Sequence, residues 1–173
     1  FTFEWLREGR VLGCVTTLPA ALRSCKVESL GAMRYVAVAS PDFAASRCPD
    51  GLTRHNFSGL PFVAFNRKDD LQAEFVASAC GLKHVSLSQV YVPSSEGQVR
   101  AVRAGWGVSV LPELQVSEHL QSGELVNLIP GSCLPVALYW HCWNLESAVL
   151  DALTRALKAA AALALTPVSP DSL

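Results

Sequence analysis

Apolar positions fall into short blocks whose spacing alternates between that of helices and that of strands. Phe3 and Leu6, with Trp5 beside them, fit a short amphipathic helix that breaks at Gly9, and Val11 to Thr17 follows as a buried strand. Met33, Tyr35, Ala37 and Ala39 then alternate with Arg34, Val36 and Val38, so both faces of a second strand are largely apolar, as a parallel sheet requires. Ser40-Pro41-Asp42 closes it, where serine can cap and proline can open a helix. Pro61 to Phe65 reads as a third strand.

Asn66 to Asp70 is the most polar interruption in mid-chain and precedes a helix from Leu71 to Gly81, whose glycine suits a C-terminal stop. Ser88 to Val92, a helix opened by Pro93-Ser94-Ser95 and running through Arg103, and Val108 to Leu111 form a β-α-β unit, which implies parallel pairing. Val116 to Leu120 reads as helical, Leu125 to Leu128 as extended, and Pro135 to Cys142 as a long returning strand. A last helix from about Ser147 would turn Val149, Leu153 and Leu157 to one face. Together these predict an α/β fold of two lobes joined by two crossover strands, near Asn66 and near His141. Residues 1–65 would begin lobe I, 66–140 form lobe II, 141–165 return to lobe I, and 166–173 form a flexible tail.

Composition narrows the function. Half of the 173 residues are hydrophobic, which excludes a disordered chain. Fourteen Lys and Arg against 15 Asp and Glu leave a net charge of -1, without the basic excess that direct nucleic-acid binding calls for. The six cysteines include no C-x-x-C pair and are expected to be free thiols. No export signal is visible, and the apolar run Ala159 to Leu165 is too short to span a bilayer, so a cytoplasmic protein without membrane contact is expected. There is no G-x-S-x-G, no zinc-spaced His/Glu pair and no P-loop, and Gly105-Trp106-Gly107 is too short for a dinucleotide motif. No enzyme, cofactor or metal site is therefore expected.

The ordered set of segments resembles the effector domain of LysR-type transcriptional regulators, especially the ArgP/LysG-like subgroup that answers to basic amino acids. The stretches that carry the resemblance are Leu30 to Tyr35 through Ala39-Ser40-Pro41, Phe65 to Gln72, Pro93 to Glu96, Gly105-Trp106-Gly107 through Leu111-Pro112, Ser122 to Leu125, and Leu138 to His141. It implies a two-lobed, type 2 periplasmic-binding-protein-like fold, a small-molecule effector, lysine or arginine, bound between lobes, and a homodimer or homotetramer. Members of the family begin with a winged helix-turn-helix, a linker helix and an opening strand that this sequence does not contain, so DNA contact is expected only through that N-terminal part. A solute-binding protein of a transport system shares the fold and is the alternative.

A basic amino acid brings a carboxylate, an α-ammonium and a distal cation. Ser94 and Ser95 lie at a helix start, where unpaired N–H groups and hydroxyls favour an anion, although Ser95 and Gln98 also have capping-box spacing. Asn66, Asp69 and Asp70 offer acceptors for the cationic groups, although Asp69 and Gln72 have the same box spacing; Glu96 is a weaker candidate. Thr16 and Thr17 end the first strand where the resemblance places an effector-contacting loop. Trp140, His141 and Trp143 read as core packing on the return strand, and His55, His84 and His119 as surface.

Overall fold

The computed structural model describes residues 2–168. Its elements are α1 (Thr2–Arg7), β1 (Gly13–Thr16), β2 (Cys25–Ala39), α2 (Pro41–Arg47), β3 (Pro61–Ala64), α3 (Leu71–Cys80), β4 (Ser88–Tyr91), α4 (Ser95–Arg103), β5 (Ser109–Pro112), α5 (Glu113–Gln121), β6 (Val126–Asn127), β7 (Leu134–Trp143) and α6 (Ala148–Ala164). They fall into two units, the first made of Phe1–Arg34 and Pro135–Leu173, the second of Tyr35–Leu134. The chain changes unit inside the two longest strands, β2 and β7. This corrects the boundaries expected near Asn66 and His141: Asn66 lies in a β3–α3 turn within the second unit, and its polarity marks a loop rather than a crossing.

In the second unit the sheet is covered on both faces. Ala37 and Ala39 of β2 pack with Phe43 of α2 and with Phe75 and Val76 of α3, whereas Val36 and Val38 pack with Val99 and Val102 of α4 and with Val116 of α5. Helices on both sides thus explain why β2 is apolar on both faces. The pairing expected for β2 is parallel, but β5 pairs with it antiparallel from Tyr35↔Pro112 to Val38↔Ser109, and β6 is antiparallel to it as well. The predicted β4–α4–β5 unit also differs: β4 pairs in parallel with β3, and β5 touches β3 through a single parallel bridge between Phe62 and Val108.

Where that bridge ends, side chains carry the pairing further. The Ser109 hydroxyl donates to the Val63 carbonyl at 2.7 Å, and Gln72 of α3, 1% exposed, bonds both backbone groups of Val110. The bridge itself needs Gly107, since a Cβ there would sit 2.2 Å from the Pro61 carbonyl oxygen.

In the first unit β7 lies between β1 and β2 in the strand order, with β1 antiparallel to it from Gly13↔Cys142 to Thr16↔Tyr139. Trp140, Cys142 and Leu150 form its buried cluster, and the Trp140 indole N–H donates to Thr154 at 3.0 Å. The inward face of α6 is Leu150, Leu157 and Ala161; of the face expected, Leu157 packs inward whereas Val149 and Leu153 are exposed. Thr166, expected in a frayed tail, is tied to Ala32 through both backbone groups and its hydroxyl, and residues 169–173 lie outside the described residues.

Candidate functional site

Parallel strands end together, so the loops after β3 and β4 leave the second unit at one sheet edge. Ala64 is in register with Tyr91, and one residue further the Val92 N–H donates to the Ala64 carbonyl at 2.9 Å. From this edge the chain runs on one side into the Asn66–Asp70 turn and on the other into Pro93 and α4. Six of the eight candidate residues thus share one edge of the sheet, the carboxyl end where open α/β sheets take ligands.

At the start of α4, Ser94 is the N-cap and its Oγ accepts the Gly97 N–H at 3.1 Å. The Ser95–Gln98 box is not formed: Ser95 is the first helical residue and Gln98 is buried. Because Gly97 and Gln98 spend their N–H groups on Ser94, those of Ser95 and Glu96 are left outside the helical bonding, beside two exposed hydroxyls. Positive partial charge gathers there. Glu96 lines a groove of about 220 Å³ with Arg100, Gln115 and His119, on the side of α4 that meets α5.

Asp69 builds its turn, with Oδ2 accepting the Phe65 N–H at 3.0 Å and Oδ1 the Leu71 N–H at 3.2 Å. Asn66 does similar work, its Oδ1 accepting the Lys68 N–H at 2.7 Å. Asp70 is exposed and forms no side-chain cap. The Asp69–Gln72 box fails because Gln72 is engaged with Val110 instead of turning back. Each Asp69 oxygen keeps an acceptor position beyond the turn bond that it makes. Burial, and then the charge of Asp69, raise the Tyr35 phenol above its ordinary range.

Thr16 and Thr17 belong to the first unit. The Thr16 hydroxyl oxygen accepts the Leu18 N–H at 3.3 Å, and Thr17 is exposed. Trp140 is core, as expected, and His55 and His84 are exposed. His119 is half-buried and bonds Glu124 at 2.6 Å. His141 is buried in the core, as expected, but its Nδ1 has no hydrogen-bond partner among the described residues.

All six cysteines are free, and burial raises the thiols of Cys14, Cys25, Cys48 and Cys80. Among the described residues no cluster of His, Cys, Asp and Glu could hold a metal ion, and no helix is long and apolar enough to cross a membrane.

The family model described as LysR substrate binding domain matches residues 2–162. The HTH-type transcriptional regulator ArgP of Proteus mirabilis (strain HI4320) is 40% identical over 156 residues, which are 90% of this chain and 52% of that protein. The chain therefore spans about half the length of the curated relatives it matches. Among solved structures, the C-terminal domains of a LysR family protein from Agrobacterium tumefaciens str. C58 superpose with a TM-score of 0.89 at 42% identity, covering 96% of this chain and 80% of that one. ArgP from Mycobacterium tuberculosis gives a TM-score of 0.89 at 35% identity over 95% of this chain and 56% of its own. The full-length regulator LysG from Corynebacterium glutamicum, with bound effector Arg, gives 0.82 at 34% identity over 96% of this chain and 56% of its own.

Proposed function

The chain belongs to the LysR substrate-binding domain family, and from that premise we propose that it is the effector-sensing part of a transcriptional regulator and takes a basic amino acid, arginine or lysine. One observation carries the reading: the open start of α4 and the acidic β3–α3 turn leave the same sheet edge, fastened by the bond from Val92 to Ala64. The effector carboxylate sits on the N–H groups of Ser95 and Glu96 and on the hydroxyls of Ser94 and Ser95. Asn66, Asp69 and Asp70 accept from its ammonium or guanidinium group. The bound arginine of the LysG relative supports this ligand class. Thr16 and Thr17 remain hydroxyl donors to the effector on the family resemblance alone, and Glu96 contributes its backbone more than its carboxylate.

No chemistry is required of such a site, and no catalytic role is proposed. A ligand shifts the equilibrium between arrangements of a regulator only through its unequal affinity for them, typically worth about 1 to 3 kcal/mol. In a homodimeric cytoplasmic regulator that bias reaches DNA through the N-terminal part that the longer relatives possess. A thermal-shift screen of the twenty amino acids tests the ligand class, because binding to the folded state stabilises it by about 2.7 kcal/mol at a hundredfold excess over Kd. Shifts with arginine and lysine support the proposal; shifts confined to acidic or aromatic amino acids refute it.

A further inference from the structure

His141 is fully buried on β7, opposite Cys14 across the β1–β7 pair, with the Phe3 ring edge-on at 5.3 Å. Its Nε2 lies 2.7 Å from the Leu18 carbonyl oxygen. A carbonyl can only accept, so the hydrogen is on Nε2, and Nδ1 presents a bare lone pair. That lone pair has no partner among the described residues. Burying an unpaired acceptor costs about 1 to 3 kcal/mol, a cost that phenylalanine or leucine at this position would avoid. Stability of the core alone therefore does not account for histidine here. What the imidazole supplies is a donor reaching from β7 to a loop 123 residues away in sequence.

That loop has little else to hold it. β1 ends at Thr16, and Leu18 is 45% exposed, so its side chain is not anchored by burial. Its backbone is held at both ends instead: the N–H by the Thr16 hydroxyl oxygen and the carbonyl by His141. Between these two bonds lies Thr17, and the first of them fixes the direction of the Thr16 hydroxyl. We propose that His141 is a positioning residue for the effector loop: through the Leu18 carbonyl it holds Thr16 and Thr17 in the conformation that meets the ligand. The inference rests on the assignment of these threonines as effector contacts.

The test compares the unmodified chain with His141→Phe, which keeps a ring against Phe3 but removes the donor, and His141→Gln, whose amide can still donate to Leu18. Amide exchange at Leu18 is measured by NMR, affinity for L-arginine by calorimetry, and the thermal midpoint alongside. In His141→Phe, exchange at Leu18 quickens and the Kd rises, each by about tenfold, while the midpoint does not fall. His141→Gln restores both, and carries the comparison if the phenylalanine variant does not fold. Unchanged exchange at Leu18, or an unchanged Kd once the loop has loosened, overturns the inference. If the unmodified chain takes no basic amino acid, the ligand assignment fails, and exchange at Leu18 still decides whether His141 holds the loop.

Discussion

Gln72 pairs with both backbone groups of Val110: its amide nitrogen donates to the carbonyl at 3.1 Å and its amide oxygen accepts the N–H at 2.7 Å. The side chain thereby takes the place of a neighbouring strand where β3 and β5 diverge. Val110 is 2% exposed, so removing the amide strands two buried backbone groups. Gln72→Leu should cost about 2 to 6 kcal/mol, since each orphaned group costs about 1 to 3. Urea unfolding measures this as a lower midpoint with an unchanged slope.

Gly107 stands against the same contact from the other side. A methyl group there would lie 2.2 Å from the Pro61 carbonyl oxygen, which also accepts the Val108 N–H at 2.9 Å. Neither backbone can give way without breaking the bridge to β3. Gly107→Ala should destabilise the protein by about 1 to 3 kcal/mol, read from the same unfolding curves, whereas Gly123→Ala, with open space around it, loses only what its φ of +77° costs.

Ser94 serves helix and ligand at once, and substitutions separate the two roles. Ser94→Ala removes the cap on Gly97 and should cost about 1 kcal/mol. Ser94→Asp keeps an acceptor for the cap and so the thermal midpoint. It also puts a negative charge where the effector carboxylate is proposed to sit, and calorimetry with arginine should show binding lost. Undiminished binding would place the carboxylate elsewhere.

The Glu124 carboxyl is held below its ordinary range first by the hydrogen bond from His119, with Arg103 adding at 2.7 Å. A lowered carboxyl stabilises the native state above its unfolded pKa and loses that contribution as pH falls through the folded value. NMR titration should therefore show Glu124 ionising below a free glutamate, with local order between α5 and β6 declining only at acid pH. In His119→Ala the titration moves back towards the ordinary range.

Most elements are legible in local patterns along the chain, and those that are not have physical causes. Ser40 caps α2 by accepting from Phe43, and Gly81 ends α3 at φ +65°, because caps are written in neighbouring residues. The first half of β2 carries no strand pattern, since Lys26 and Ser29 are exposed and Gly31, at φ +117°, interrupts the apolar alternation. That glycine admits the Thr166 carbonyl 2.8 Å from where a Cβ would stand, a contact invisible along the chain. Both glutamines at box spacing, Gln72 and Gln98, turned out to be buried; the partner of Gln72 lies 38 residues ahead. Of the site, the sequence marked the residues of the shared edge, but not that parallel pairing of β3 and β4 would put Asn66 and Ser94 on the same side.

In the proposed complex a carboxylate sits at the start of α4 and a cationic group at the turn beside it. Calorimetric titration of the chain with L-arginine and with agmatine, which is arginine without its carboxylate, tests this most directly. Arginine should bind, and agmatine should bind at least about a hundredfold more weakly, since two or more charge-assisted hydrogen bonds worth about 1.5 to 3 kcal/mol each would be missing. Equal affinity for the two, or no heat from arginine, would contradict it.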